Sequence, residues 1–271
     1  MKYDLHIHSV YSDGTDTPTE IVQKAKEKGL KAIALTDHDT LEGLAELKKA
    51  AKEKGIQTVD GVELSTYSTS EVHILGYNVD LESDTLLSAL SDFAARREER
   101  IKNILVKLAK YNINLDYDSV ASVAVGAIGR MHVAKELIRK GYCASVYEAF
   151  ERYLGANGVA YIPSKRITPM EGVKLIKRSR GLAVLAHPLR FITGGRFNDF
   201  VYGLKPFGLD GIEGYYPTHD EKTIRTIVDT AKQNHLIVTG GTDYHGKNKN
   251  VELGSVDVRL DEKSKRALKI K

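Results

Sequence analysis

The chain has 271 residues, 42% hydrophobic and 28% charged, which is ordinary for a globular protein and leaves room for one large α/β domain or a domain with an insertion. Lys and Arg number 40 against 36 Asp and Glu and are dispersed, which argues against a nucleic-acid tracking surface but not against a local anion site. Cys143 is the one cysteine, no apolar run is long enough to span a bilayer, and the charged start is unlike a signal peptide; the expectation is a cytoplasmic enzyme with no disulfide, no thiolate metal site and no membrane partner.

Residues 2–8 are predicted to form a buried strand. Side chains on a strand alternate, so His6 and His8 share a face, with the carboxylate of Asp13 just beyond. On their own these residues read equally as a metal corner or as ordinary histidines. "TPTEIVQKAKEKG" reads as a helix, with Thr17 as N-cap, Pro18 at its first position, Glu20 closing a capping box and Gly29 ending it. "LKAIALTDHDT" is the next strand, apolar from Leu30 to Leu35 and polar only at its end. A helix over 41–54, closed by Gly55, leads to the strands "IQTVDGVEL" and "EVHILGYNV". Short apolar strands alternating with amphipathic helices predict a parallel α/β sheet or barrel.

From about residue 84 the pattern turns helical, through "LLSALSDFAARREERIKNILVKLAKY", "MHVAKELIRKGY" and "SVYEAFERYL". Residues 95–165 are therefore expected to be a helical insertion capping the strand ends, between barrel segments 1–94 and 166–271. Strands resume in "GLAVLAHP", "LDGIEGYY" and "HLIVTGGTDYHG", and a last strand is expected near 253–258.

Six of the nine histidines, His6, His8, His38, His73, His187 and His245, fall at or beside predicted strand ends, as do Asp13, Glu63 and Asp243. Stability does not require imidazoles and carboxylates at those positions, whereas chemistry in α/β folds sits at the carboxyl ends of strands. His73 alone would be read as structural; the set together reads as a metal site.

The order "HIH" 6–8, Asp13, "TDH" 36–38, "GVE" 61–63, His73, "AHP" 186–188 and "TDYH" 242–245 resembles the polymerase and histidinol phosphatase (PHP) superfamily, across both halves of the chain. The resemblance implies a distorted (β/α)7 barrel with two or three divalent metal ions at the strand ends. It implies a first metal position at His6, His8, Glu63 and Asp243, a second at Glu63, His73 and His187, and a third at Asp13, His38 and His245. Nitrogen and oxygen ligands suit Mn²⁺, Fe²⁺ or Zn²⁺. Glu63 and Asp243 would then serve catalysis, a metal-activated hydroxide attacking a phosphate ester without a serine or cysteine nucleophile.

Cations flank this set. Arg130 and His132 open a predicted helix, where backbone N–H groups also favour an anion. Lys165 and Arg166 precede another helix, and Arg190 follows His187. Arg130, His132, Lys165 and Arg190 are candidate phosphate contacts, whereas Arg166, like most arginines, reads as a solvated charge. "GRMH", "AYIPSK" and "YYPTH" resemble the branch of the superfamily that dephosphorylates nucleoside 3',5'-bisphosphates and trims short RNA from its 5' end. That implies a small phosphorylated nucleotide or short single-stranded RNA as substrate, with no obligate protein partner. His219 is a candidate proton donor to the leaving oxygen, or a turn histidine. Tyr215 and Tyr216 read as base-stacking or packing residues, and His235 as structural. A histidinol-phosphate phosphatase and a non-catalytic scaffold or metal-binding module are the competing functions.

Overall fold

The computed structural model describes residues 2–124, 126, 128–190 and 195–271. The chain divides into two compact units, Met1–Ser88 with Arg166–Lys271, and Ala89–Lys165.

The first unit is built on one seven-stranded sheet: β1 (Lys2–Ile7), β2 (Leu30–Leu35), β3 (Gln57–Tyr67), β4 (Glu71–Tyr77), β5 (Leu182–Leu185), β6 (Leu209–Tyr215) and β7 (Ile237–Gly240), adjacent in that order. β1, β2 and β3 are mutually parallel, as are β5, β6 and β7. The sheet curls until its two edges meet just beyond β7: His8 N–H donates to the Tyr244 carbonyl at 2.8 Å, and Ile7 and Tyr244 form a parallel bridge. This is the α/β barrel-type architecture expected from the chain's alternation.

β4 departs from the parallel arrangement, pairing antiparallel with both β3 and β5. Only Ser68, Thr69 and Ser70 connect it to β3, and a parallel return needs a crossover of a dozen or more residues. The expected strand at 253–258 is absent. That stretch is irregular, and its apolar signal comes from Leu253 and Val258, which bury separately into two different clusters.

Helix Pro18–Glu27 starts as its sequence predicts: the Thr17 side chain accepts from Glu20 N–H, and the Glu20 carboxylate accepts from Thr17 N–H. Its buried Ile21, Val22 and Ala25 join Leu44 and Leu47 of helix Leu44–Lys54 against Ile7, Ile33 and Leu35. The other core of this unit draws a side chain from every strand, including Leu5, Ala34, Val59, Tyr77, Val184, Tyr215 and Ile237. Among the described residues no helix is long and apolar enough to cross a membrane.

The second unit begins inside helix Asp84–Ala109 and has a core of its own. Ile101, Ile104 and Leu108 pack with Val133 and Leu137 of helix Arg130–Arg139, with Tyr153 and Leu154 and with the unbonded, buried Cys143.

Candidate metal centre

His6 lies in β1 and His8 one residue past its end, both fully buried, and continued alternation turns them to one side. His38 follows β2, His187 follows β5, and Asp243 and His245 follow β7. Because β4 runs backwards, its beginning lies beside the end of β3, with His73 opposite Ser65. A histidine near a strand start thus joins histidines at strand ends. Glu63 is not at a strand end. It sits inside the long β3, just past Asp60, where pairing with β2 stops and pairing with β4 takes over at Gly61. A Cβ on Gly61 would lie 2.6 Å from the Leu35 carbonyl oxygen, so this crossover tolerates only glycine.

Glu63 is the hub. Its Oε2 is 3.2 Å from His6 Nε2, 3.1 Å from His8 Nε2 and 3.2 Å from His38 Nδ1. Its Oε1 is 2.9 Å from His73 Nδ1 and 3.1 Å from His187 Nε2. Asp243 Oδ1 faces His6 and His8, 3.6 Å from His6 Nε2 and 3.3 Å from His8 Nε2. On the other side, Asp13 Oδ1 is 3.1 Å from His245 Nε2, and Asp13 Oδ2 is 3.9 Å from His38 Nε2. Asp243 and His187 hold positive-φ backbones, +52° and +26°.

These residues form three groups whose ligating atoms lie within 4.8 Å of one another: His6, His8, Glu63 and Asp243; His8, Asp13, His38 and His245; and His38, Glu63 and His73. His6 Nε2, His8 Nε2, His38 Nδ1 and Glu63 Oε2 are buried and make no hydrogen bond among the described residues. Three imidazole nitrogens turned on one carboxylate oxygen in this way suit a divalent cation between them, and the donors are all nitrogen or oxygen. The residues present fit such an ion.

Burial alone would raise the Glu63 carboxyl, but His73, His6 and His38 hold it well below the usual range. Burial likewise opposes ionisation of Asp243, and His6, His8 and Lys249 overcome it. Burial would depress His8, yet Asp243 and Glu63 push it up to about 9.

A second layer orients the first. Glu213 on β6, wholly buried, accepts from His6 Nδ1–H at 2.9 Å and from the His187 backbone N–H at 2.8 Å. Asp37 accepts from the Ser9 N–H and from the Ser9 and Ser12 hydroxyls, pinning the loop that carries Asp13. Asp243 Oδ2 accepts from the Tyr216 hydroxyl at 2.8 Å and from Lys249 Nζ at 2.5 Å, while Tyr215 packs in the core. Sequence reading missed Glu213, Asp37 and Lys249. A carboxylate inside the apolar "LDGIEGYY" was the available signal for Glu213.

His219 is half-buried. Its Nδ1–H donates to the Gly214 carbonyl at 2.9 Å, and its Nε2 is buried with no hydrogen-bond partner among the described residues. Its ring lies 5.3 Å from that of Tyr216, which lies 5.3 Å from that of His187.

The predicted phosphate contacts are not gathered in this unit. Arg130, His132 and Lys165 belong to Ala89–Lys165. Arg130 Nη1 donates to the Leu154 carbonyl and its guanidinium lies over the Phe150 ring, while His132 Nδ1 accepts from Gly129 N–H and so caps its own helix. The Arg190 side chain lies outside the described residues. Arg166, read as a solvated charge, is instead largely covered and paired with Glu71.

The PHP domain family model matches residues 4–159. The chain is 35% identical over 255 residues to a 5'-3' exoribonuclease of Haemophilus influenzae, covering 93% of each protein. It is 30% identical over 258 residues to the phosphoribosyl 1,2-cyclic phosphate 1,2-diphosphodiesterase of Eggerthella lenta, covering 91% of this chain and 95% of that one. It is 30% identical over 246 residues to the 3',5'-nucleoside bisphosphate phosphatase of Chromobacterium violaceum, covering 89% and 86%. Among solved structures, a presumed metal-dependent phosphoesterase of Bifidobacterium adolescentis superposes with a TM-score of 0.87 at 28% identity, over 98% of this chain and 94% of that one.

Proposed function

The chain belongs to the PHP family, and we infer that it is a metal-dependent phosphoesterase that removes phosphate from a small nucleotide, either a nucleoside 3',5'-bisphosphate or a short 5'-phosphorylated oligonucleotide. One observation carries the reading: five histidines meet the single buried carboxylate of Glu63.

We assign three cation positions, His6, His8, Glu63 and Asp243; Glu63, His73 and His187; and Asp13, His38 and His245, the second taking His187 for its 3.1 Å approach to Glu63 where the ligating atoms alone group His38 with Glu63 and His73. Mn²⁺, Fe²⁺ or Zn²⁺ held there supplies Lewis acidity toward phosphate oxygens and a reactive nucleophile from water at neutral pH. Glu63 belongs to two of these positions, so it fixes their spacing. Glu213 and Glu71 each engage the second ring nitrogen of a histidine, which turns the first toward the centre.

We assign His219 the handling of the leaving-group proton. Donation from Nδ1 to Gly214 leaves Nε2 as the atom that takes up and gives a proton. Arg130, His132, Lys165 and Arg190 are the proposed contacts to substrate phosphate, on the chemistry of their side chains. The relatives in Haemophilus influenzae and Chromobacterium violaceum support a nucleotide substrate by their names.

The test is phosphate release by Mn²⁺-reconstituted protein on adenosine 3',5'-bisphosphate, AMP, histidinol phosphate, phosphoribosyl 1,2-cyclic phosphate and a short 5'-phosphorylated RNA. Preference for the bisphosphate or the RNA is the expected result. Preference for histidinol phosphate or for the cyclic diester overturns the nucleotide assignment. No turnover on any of them with metal bound overturns the phosphoesterase reading itself.

A further inference from the structure

His73 is a proposed ligand whose ring is held from outside by a charged relay. Its Nδ1 lies 2.9 Å from Glu63 Oε1, and its Nε2 lies 3.0 Å from Glu71 Oε1. The same Glu71 oxygen accepts from Arg166 Nη1. Arg166 is the first residue of the barrel unit after the chain returns from Ala89–Lys165. It is anchored there: Tyr67 N–H, at the end of β3, donates to the Ile167 carbonyl at 2.9 Å, and Thr168 then caps helix Pro169–Arg178. The Arg166 side chain, 18% exposed, is the more covered partner of the pair, Glu71 being 38% exposed.

From this we propose that Arg166 is a positioning residue for the metal centre, acting through Glu71 to fix the ring and tautomer of His73. The proposal rests on the reading that Glu63 and His73 hold a metal ion. An ionised Glu71 accepts only, so the proton of neutral His73 resides on Nε2 and the lone pair of Nδ1 points toward Glu63. Glu71 can take other rotamers by itself. The guanidinium fixes it with a charge-assisted bond to the same oxygen that faces His73, and the backbone anchor at Ile167 holds the arginine in place. Without Arg166 the carboxylate is released to solvent, and His73 loses both its tautomer and its aim. The effect is local, because Asp13, His245, His6 and Asp243 make no use of the relay.

The experiment is metal titration of stripped full-length protein, with Mn²⁺ and with Zn²⁺, against a chromophoric chelator. Wild type is compared with Arg166→Ala, Arg166→Lys and Glu71→Gln, with no substrate present. The expected result is one equivalent weakened about 10–100-fold in Arg166→Ala and Glu71→Gln, the remainder unchanged, and partial recovery in Arg166→Lys. All equivalents binding as in wild type overturns the positioning role, as does a uniform fall of every equivalent. Wild type that binds no metal overturns the underlying metal reading instead, so the two failures are distinguishable. Glu71→Gln conserves shape, so it tests the proposal even where Arg166→Ala does not fold.

Discussion

The carboxylate of Glu213 lies 2.9 Å from His6 Nδ1, and that contact decides which imidazole nitrogen of His6 faces the centre. With its proton on Nδ1 and directed at Glu213, His6 turns the bare Nε2 toward Glu63 and Asp243. The other Glu213 oxygen holds the His187 backbone. A glutamine has only one acceptor oxygen and cannot serve both donors. Glu213→Gln is therefore expected to weaken metal binding about 10–100-fold and to cost about 1–3 kcal/mol of stability. Chelator competition and thermal melts check this; unchanged values in both would show that Glu213 is not an orienting residue.

Glu63→Gln removes the negative charge that two proposed cation positions share. Metal content and phosphate release are expected to fall together, by more than the roughly 100-fold typical of an outer-shell substitution. Elemental analysis beside the phosphate assay checks it. Full activity with one metal lost would end the shared-ligand model.

His219→Asn separates proton donation from metal binding. If Nε2 protonates the departing oxygen, the variant loses roughly 10²–10⁴ in kcat on a nucleotide but little on an aryl phosphate, whose leaving group needs no proton. Equal losses on both would assign His219 to structure.

The pH dependence of stability has a marker in Asp16, which is not among the proposed ligands. Asp16 accepts from Lys24 Nζ and from the Tyr244 hydroxyl, each at 2.5 Å. Burial opposes its ionisation, but Lys24 and Tyr244 prevail and hold its carboxyl below the ordinary 3.8. A depressed folded-state value means the stabilisation is complete above that ordinary value and drains away as pH falls beneath it. Asp16→Asn is expected to cost about 1.5–3 kcal/mol at pH 7, with the gap to wild type closing in acid. Denaturant melts at pH 7 and pH 3 measure it; a gap that widened in acid would contradict the pairing.

Much of the barrel and of its polar rim was legible because two patterns coincide. Apolar runs end abruptly in His, Asp or Glu, and strand ends are where an α/β sheet leaves side chains free for chemistry. The direction of β4 was not legible from its own residues, because an antiparallel strand has the same apolar composition. The three-residue link from Tyr67 to Glu71 carried that information. Leu253 and Val258 mimicked a strand because burial, not pairing, makes them apolar. Glu213 was hidden for the opposite reason: a charge inside an apolar strand reads as noise until two donors are seen to converge on it. Arg166 was misread because exposure is the rule for arginine, and only tertiary contact reveals the exception.

The seam where β1 meets the chain beyond β7 has a consequence for biosynthesis. Asp4 and Thr242, 238 positions apart, are bonded there at 2.9 Å, and His6 and Asp243 face each other just beside them. The 238 positions separating Asp4 from Thr242 must be synthesised before Asp243 and His245 can reach β1. Loading of the complete centre is therefore a late event that follows closure of the barrel. Such long-range closure makes for slow folding, and truncation ahead of residue 243 leaves a chain that retains histidines on its early strands without the carboxylate and imidazole that complete their surroundings.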